Sequence, residues 1–189
     1  MLSKFQITSG PSSEPVSLEE LQTHLHFSTD DSYLNSLIKA ARIAAEHYTG
    51  RAFITRTVKA FADGWESKLV LPFPKVTAIT SVSYYNDDGV LTLLSEDYYW
   101  KELNSEPAAV IRKYDVTYPE LQDGRPSAVE IVYTAGYGTA SDVPEDIKHA
   151  IKLIATDYFE HRGQVVIGGV NRIPQHLTYL LHPYKIYNF

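Results

Sequence analysis

Two apolar stripes at helical spacing, set far apart in the chain, constrain its fold more than any other feature. Leu34, Leu37, Ile38, Ala41, Ala45 and Tyr48 fall at i, i+3, i+4, i+7, i+11 and i+14, one face of a helix. Ile147, Ala150, Ile151, Ile154 and Tyr158 repeat the pattern, broadened by Leu153, Ala155 and Phe159. A single stripe buries too little apolar surface to offset the entropy of ordering its helix. Each helix must therefore lie on another element, either the other helix or a sheet. The second stripe is broad enough to need neighbours on two sides, the first helix and another subunit.

Local signals set the helix boundaries. Ser17-Leu-Glu-Glu20 is a capping box that opens a short helix over 17–26. Ser28 to Asp31 supply acceptors for the start of a helix over 31–49, and Gly50 stands where a terminating glycine belongs. Asp142-Val-Pro-Glu145 offers an N-cap acid, an early proline and a following glutamate for a helix over 143–162, stopped by Gly163. A fourth, short helix is expected from Pro174 to His182.

Between the stripes, from about residue 51 to 135, the pattern changes to β-branched and aromatic runs: Phe53–Phe61, Val76–Tyr85 and Val129–Thr134. Asn86-Asp-Asp-Gly89 is a hairpin turn, because Asn, Asp and Gly tolerate positive φ. Pro72 and Pro74 break the ladder around Phe73, and further strands are expected at 98–103 and 109–112. The expected fold class is α+β: a mostly helical core of about four helices, an inserted antiparallel sheet of five or six strands, and an extended C-terminal arm. The domain reading is a connector domain over 1–163 and an arm over 164–189.

Composition removes whole classes of function. The 189 residues carry 23 acidic and 17 basic side chains, a net charge of −6, so general affinity for a phosphate backbone is not expected. No basic stripe with interleaved aromatics exists; Arg51, Arg56 and Lys59 are too few to form a groove. There is no cysteine, which removes disulfides, thiolate metal sites and cysteine nucleophiles. No run approaches the roughly 18 apolar residues of a membrane span, and MLSKFQITSG lacks the apolar core of a signal peptide, so a soluble cytoplasmic protein is expected. The 14 tyrosines suit either an interface or half-buried sheets.

Catalytic constellations are missing as well. His24-x-His26 lies at the end of a helix, where i and i+2 diverge; Glu46-His47 and Glu160-His161 sit near helix C-termini, where imidazolium suits the macrodipole. There is no H-E-x-x-H and no G-x-S-x-G. Ala135-Gly-Tyr-Gly138 has the outline of a phosphate cradle. It lacks the P-loop and dinucleotide patterns, and Asp142, Glu145 and Asp146 at the helix entrance would repel phosphate, so it is read as a tight turn. No catalytic, cofactor-binding or metal-binding residue is assigned, and enzyme activity is not expected.

The layout as a whole resembles the head–tail connector (adaptor) proteins of long-tailed double-stranded DNA phages and related gene-transfer particles. The matching phrases are Glu14-Pro-Val-Ser-Leu-Glu-Glu-Leu21 with His24-Leu-His26, then Asp30-Asp-Ser-Tyr-Leu-Asn-Ser-Leu-Ile-Lys-Ala-Ala-Arg42 running into Tyr48-Thr-Gly-Arg51. Tyr133-Thr-Ala-Gly-Tyr-Gly138 follows, then Val143-Pro-Glu-Asp-Ile-Lys-His-Ala-Ile151 and Tyr158-Phe-Glu-His-Arg162. Order and spacing agree across about residues 14–163, and residues 164–189 match less well.

The resemblance implies a virion neck protein, assembled in the host cytoplasm as a homo-oligomeric ring of about twelve subunits. Its partners would be the portal protein, the next neck or tail-completion protein, and double-stranded DNA passing through without sequence-specific binding. An acidic subunit suits such a channel, because DNA would not adhere to it. The aromatic end of the chain is the expected portal contact: Ile173, Leu177, Leu180, Leu181, Tyr184, Tyr187 and Phe189. The alternatives are another neck or tail-completion protein of the same particle, or a small hydrolase or carbohydrate-binding module using the sheet and tyrosines.

Overall fold

The protein is represented by a computed structural model that describes residues 2–27, 30–161 and 175–187. The chain divides into two compact units, Met1–Ser12 with Thr55–Tyr137 and Ser13–Ile54 with Gly138–Phe189. The first is built of strands and the second of helices, giving an α+β fold.

The helical unit contains α1 (Leu18–Leu25), α2 (Asp31–Thr49), α3 (Glu145–Glu160) and α4 (Gln175–Leu181). Ser17 Oγ accepts from the Glu20 N–H at 3.1 Å while Glu20 Oε2 accepts from the Ser17 N–H at 2.6 Å, so the capping box forms as expected. Asp30 Oδ1 accepts from the Ser32 and Tyr33 N–H groups to start α2, and Gly50 ends it at φ 71°. Ser28, part of the expected cap, lies outside the described residues. The two stripes meet: Leu34, Leu37, Ile38, Ala41 and Ala45 of α2 and Ile147, Ala150, Ile151, Ile154 and Ala155 of α3 are buried as α2 packs on α3. Tyr48 and Tyr158 close their stripes half-buried.

One boundary moves. The second long helix, α3, begins at Glu145 with Pro144 at its N-cap, and Asp142 instead closes a 3₁₀ turn over Ala140–Asp142. Proline restricts the residue before it to extended backbone, so Val143 separates the turn from the helix.

A charged cluster interrupts the apolar packing. Arg42, buried on α2, donates from Nε to Glu14 at 2.6 Å and from Nη1 to Glu46 at 2.7 Å. The other Glu46 oxygen accepts from the Phe53 N–H at 2.9 Å. Glu14 lies before α1 and Phe53 after α2, so one cluster ties the segments entering and leaving the helix pair. Burial opposes the guanidinium charge, but its bonds to Glu14 and Glu46 outweigh that and raise its pKa further.

The β unit holds a five-stranded antiparallel sheet in the order β1 (Leu2–Ile7), β2 (Arg56–Ala62), β8 (Val129–Ala135), β4 (Val76–Tyr85), β5 (Leu91–Leu93). A second, three-stranded sheet has the order β3 (Lys68–Val70), β7 (Ala109–Arg112), β6 (Tyr99–Glu102). The expected single sheet is thus two sheets among the described residues. Phe53 and Ile54, expected as the start of a strand, are fully buried in the helical unit, and β2 begins at Arg56. The first residues of the chain add an edge strand that sequence reasoning left out.

Register explains the core of the larger sheet. Val58 faces Tyr133, Ala60 faces Ile131 and Ala62 faces Val129, all buried on one face. On the other face Lys59 Nζ bonds Glu130 Oε2 at 2.8 Å. Near the end of β4, Trp65 packs on Tyr84 and Tyr118, Tyr98 meets Tyr118, and the Arg112 guanidinium lies 4.5 Å from the Tyr118 ring. Many of the tyrosines therefore serve the sheets internally, and Tyr114, Tyr179 and Tyr187 are the strongly exposed ones among the described residues.

Candidate interaction surface

The residues expected to contact a partner lie at the chain's C-terminal end, where the structure distributes them unevenly. Ile173 and Phe189 lie outside the described residues, and so does the side chain of Leu177. Leu181 is fully buried, Leu180 and Tyr184 are half-buried, and Tyr187 is 47% exposed.

Instead of extending as an arm, residues 175–187 fold back onto the helical unit. α4 packs on α3 and α2, and a 3₁₀ turn over His182–Tyr184 follows it. The Ile186 N–H donates to the Thr49 carbonyl at 2.9 Å, satisfying one of the acceptors left over at the end of α2. Arg51 Nε donates to the Tyr184 carbonyl, and Lys185 Nζ lies 5.0 Å from the Tyr48 ring centre. The physical reason is the stripe itself. An apolar row at helical spacing turns to the nearest greasy face, which here belongs to its own chain.

The outward side of α4 carries Tyr179, 81% exposed, which sequence reasoning passed over because it interrupts the apolar row. Tyr179 and Tyr187 are the large aromatics this end presents to solvent among the described residues. Tyr187 is steadied by its hydroxyl lying 3.2 Å from His182 Nε2. The Tyr184 phenol is pushed up, first by burial and then by Asp146, whose carboxylate lies 3.4 Å from its hydroxyl.

The loop with the outline of a phosphate cradle is occupied by the chain's own carboxylate. Gly136 and Gly138 have φ of 129° and 141°. Asp142 Oδ2 accepts from both the N–H and the hydroxyl of Thr139 at 2.7 Å, which holds the Asp142 carboxyl below its ordinary range. An added methyl at Gly138 would overlap that carboxylate, besides the strain of its backbone angle. Gly138→Ala is therefore expected to destabilise the protein by about 1–3 kcal/mol, measured as a lower urea midpoint; an unchanged midpoint would mean the loop relaxes freely.

The histidines occupy the expected helix ends. His24 lies in the last turn of α1 with His26 at its left-handed C-cap, and His161 follows α3 with Nδ1 3.2 Å from Asp157. The ring of His24 meets that of His149 on α3 edge to face, centroids 6.1 Å apart, a pairing the sequence does not announce. Among the described residues no three His, Asp or Glu side chains gather as a metal site.

No protein-family model matches the sequence, and no curated protein matches it. Solved structures do. The chain is similar to a chain in the virion of a native gene transfer agent (GTA) particle, with 22% identity and a TM-score of 0.79 over 98% of this chain and 96% of that one. It is similar to chains in the neck of the empty GTA particle computed with C6 symmetry (23% identity, TM-score 0.80) and in the neck of the native particle computed with C12 symmetry (23%, 0.79). Each of these two matches covers 98% of this chain and 97% of the other. At such identity the likeness establishes a shared fold across the whole length.

Proposed function

We propose that this chain is a structural neck subunit of a phage or gene-transfer particle, a head–tail connector (adaptor) that forms a ring of about twelve copies beneath the portal. The observation that carries the reading is the full-length match to chains of GTA particle structures, two of them of the neck itself. Reconstruction of those necks with C6 and C12 symmetry supports a ring. The connector-like phrases over residues 14–163 support the same reading. In this reading the subunit works by assembly rather than by catalysis. Its virion location accords with a described chain in which no helix is long and apolar enough to cross a membrane.

In this reading the ring continues the DNA channel from the portal to the next neck or tail-completion protein, and the C-terminal end docks on the portal. Ile173, Leu177, Leu180, Leu181, Tyr184, Tyr187 and Phe189 remain the proposed contact set, with Tyr179 added. Leu181 joins the contact only if α4 lifts, since it is buried in the lone subunit.

Deleting the chain from about residue 170 would remove Leu181 from the core along with the docking residues, so point variants are the cleaner test. Tyr179→Ser combined with Tyr187→Ser is expected to leave the melting temperature within a few degrees of wild type. Attachment to portal-bearing heads should fall roughly thirty-fold for each lost aromatic anchor, about 2 kcal/mol apiece, and so up to about a thousand-fold for the pair. Sedimentation of purified heads with labelled subunit measures it, and unchanged attachment would remove the docking role. Electron microscopy of labelled particles separates an adaptor, which lies directly against the portal, from a neck protein further down.

A further inference from the structure

All seven histidines of the chain belong to the helical unit and none to the β unit. The helical unit carries eight Lys and Arg against eleven Asp and Glu, a formal −3, which full protonation of its histidines would turn to +4. The β unit, with nine against twelve, stays at −3. Imidazole groups are therefore confined to one of the two units.

Two of these histidines meet across the seam between α1 and α3. His24, half-buried on α1, stands edge to face with His149 of α3. The charged and titratable groups acting on it are Lys152 and His149 from α3 and His26 from its own helix. On the α2 side, Asp31 is engaged by the Gln22 amide at 2.9 Å. Burial and then Lys152 hold His24 below its ordinary imidazole range. At neutral pH the seam is closed by Leu21, fully buried under α1, by the Gln22–Asp31 bond, and by the Phe27–Phe159 ring contact just beyond α1.

We propose that α1 is an acid-sensitive latch: protonation of His24, which stands against His149 and Lys152 of α3, drives α1 off α3 and uncovers the apolar surface that Leu21 covers. The direction follows from linkage. A base whose folded pKa is depressed takes up its proton more readily once released, so the closed state is favoured above about pH 6.5, the unfolded value, and loses stability as pH falls below it. The opening equilibrium gains about tenfold per pH unit for each proton taken up on release. The latch does not depend on the neck assignment, since its parts lie in one unit of one chain.

Hydrogen exchange on the full-length protein tests it, comparing pH 7.5 with pH 5.5 after correction for intrinsic exchange rates. The expected result is that α1 amides lose protection at pH 5.5, by at most about tenfold for the one proton that His24 takes up on release, while α2 amides hold theirs. His24→Gln with His149→Gln should abolish the difference, and Lys152→Gln alone should shrink it, because removing the ammonium brings the folded imidazole closer to its released value. Equal protection of α1 at both pH values overturns the latch. So does a pH response that survives in the double variant, which would place the titrating group elsewhere.

Discussion

Arg42→Met is expected to lower the stability of the helical unit by about 3–5 kcal/mol, the range for breaking a buried ion pair by removing one partner. Its side chain is 4% exposed, that of Glu46 is 8% and that of Glu14 is 29%, so the carboxylates left behind have little water to turn to. Methionine fills similar volume, which keeps the loss electrostatic. Glu46→Gln is the milder change: its single amide oxygen keeps one of the two bonds, to the Phe53 N–H or to Arg42, while its NH2 faces the other donor, and Glu14 still pairs with Arg42. The double variant Arg42→Met with Glu46→Leu recovers part of the loss by removing both charges, yet it leaves the Phe53 N–H without its acceptor, at about 1–3 kcal/mol. The expected order of stability is wild type, Glu46→Gln, the double variant, then Arg42→Met. Urea unfolding followed through histidine imidazole resonances measures it, since every histidine lies in this unit. A loss below about 1 kcal/mol for Arg42→Met would mean that Glu14 and Phe53 are anchored by packing alone.

That cluster also marks where the sequence stopped being legible. The apolar positions of α2 and α3 announced their helices and their burial because period and composition agree. Arg42 and Glu46 share the same spacing, but an i, i+4 pair of opposite charge is usually a solvated surface pair. Only the third partner, Glu14, many residues away, turns it into a buried cluster, and no local window contains both. The hairpin at Asn86–Gly89 and the strand over Val76–Tyr85 were legible because turn chemistry is local. β1 was not. Leu2–Ile7 is an edge strand whose Phe5 and Ile7 stay largely exposed, so it lacks the clean alternation of a half-buried strand and is fixed by pairing with β2.

The candidate contact surface illustrates the same limit from the other side. Leu177, Leu180, Leu181 and Tyr184 share one helical stripe, and a stripe says that something will cover it without saying what. For Leu181 the cover is the chain's own helical unit. Tyr179 lies off the stripe, and exposure rather than periodicity identifies it. Sequence periodicity finds surfaces that need burial; only coordinates divide them between the chain and its partners.

Tyr133→Ala is expected to cost the β unit about 3–5 kcal/mol, as for other large aromatic truncations. Tyr133 lies on β8, the central strand, is fully buried, and donates its hydroxyl to the Pro72 carbonyl at 2.8 Å. Truncation thus opens a cavity between β2 and β4 and frees the loop that precedes β4. Tyr133→Phe keeps the ring and loses only the bond, at about 1–3 kcal/mol for the stranded carbonyl. The phenol adds a pH signature. Burial pushes it well above the usual tyrosine range, so the folded unit excludes the phenolate that the unfolded chain accepts. The stability this contributes is intact below about pH 10 and is lost as pH rises beyond it. Tyr99 and Tyr118 are raised in the same direction, so the Phe variant should lose less stability between pH 9 and 11 than wild type without becoming pH-independent. Both tryptophans of the chain lie in this unit, and Trp65 packs on Tyr84 and Tyr118, so its fluorescence follows the unfolding directly. Identical alkaline slopes for wild type and Tyr133→Phe would mean that water reaches the phenol through a β unit looser than the registered strands imply.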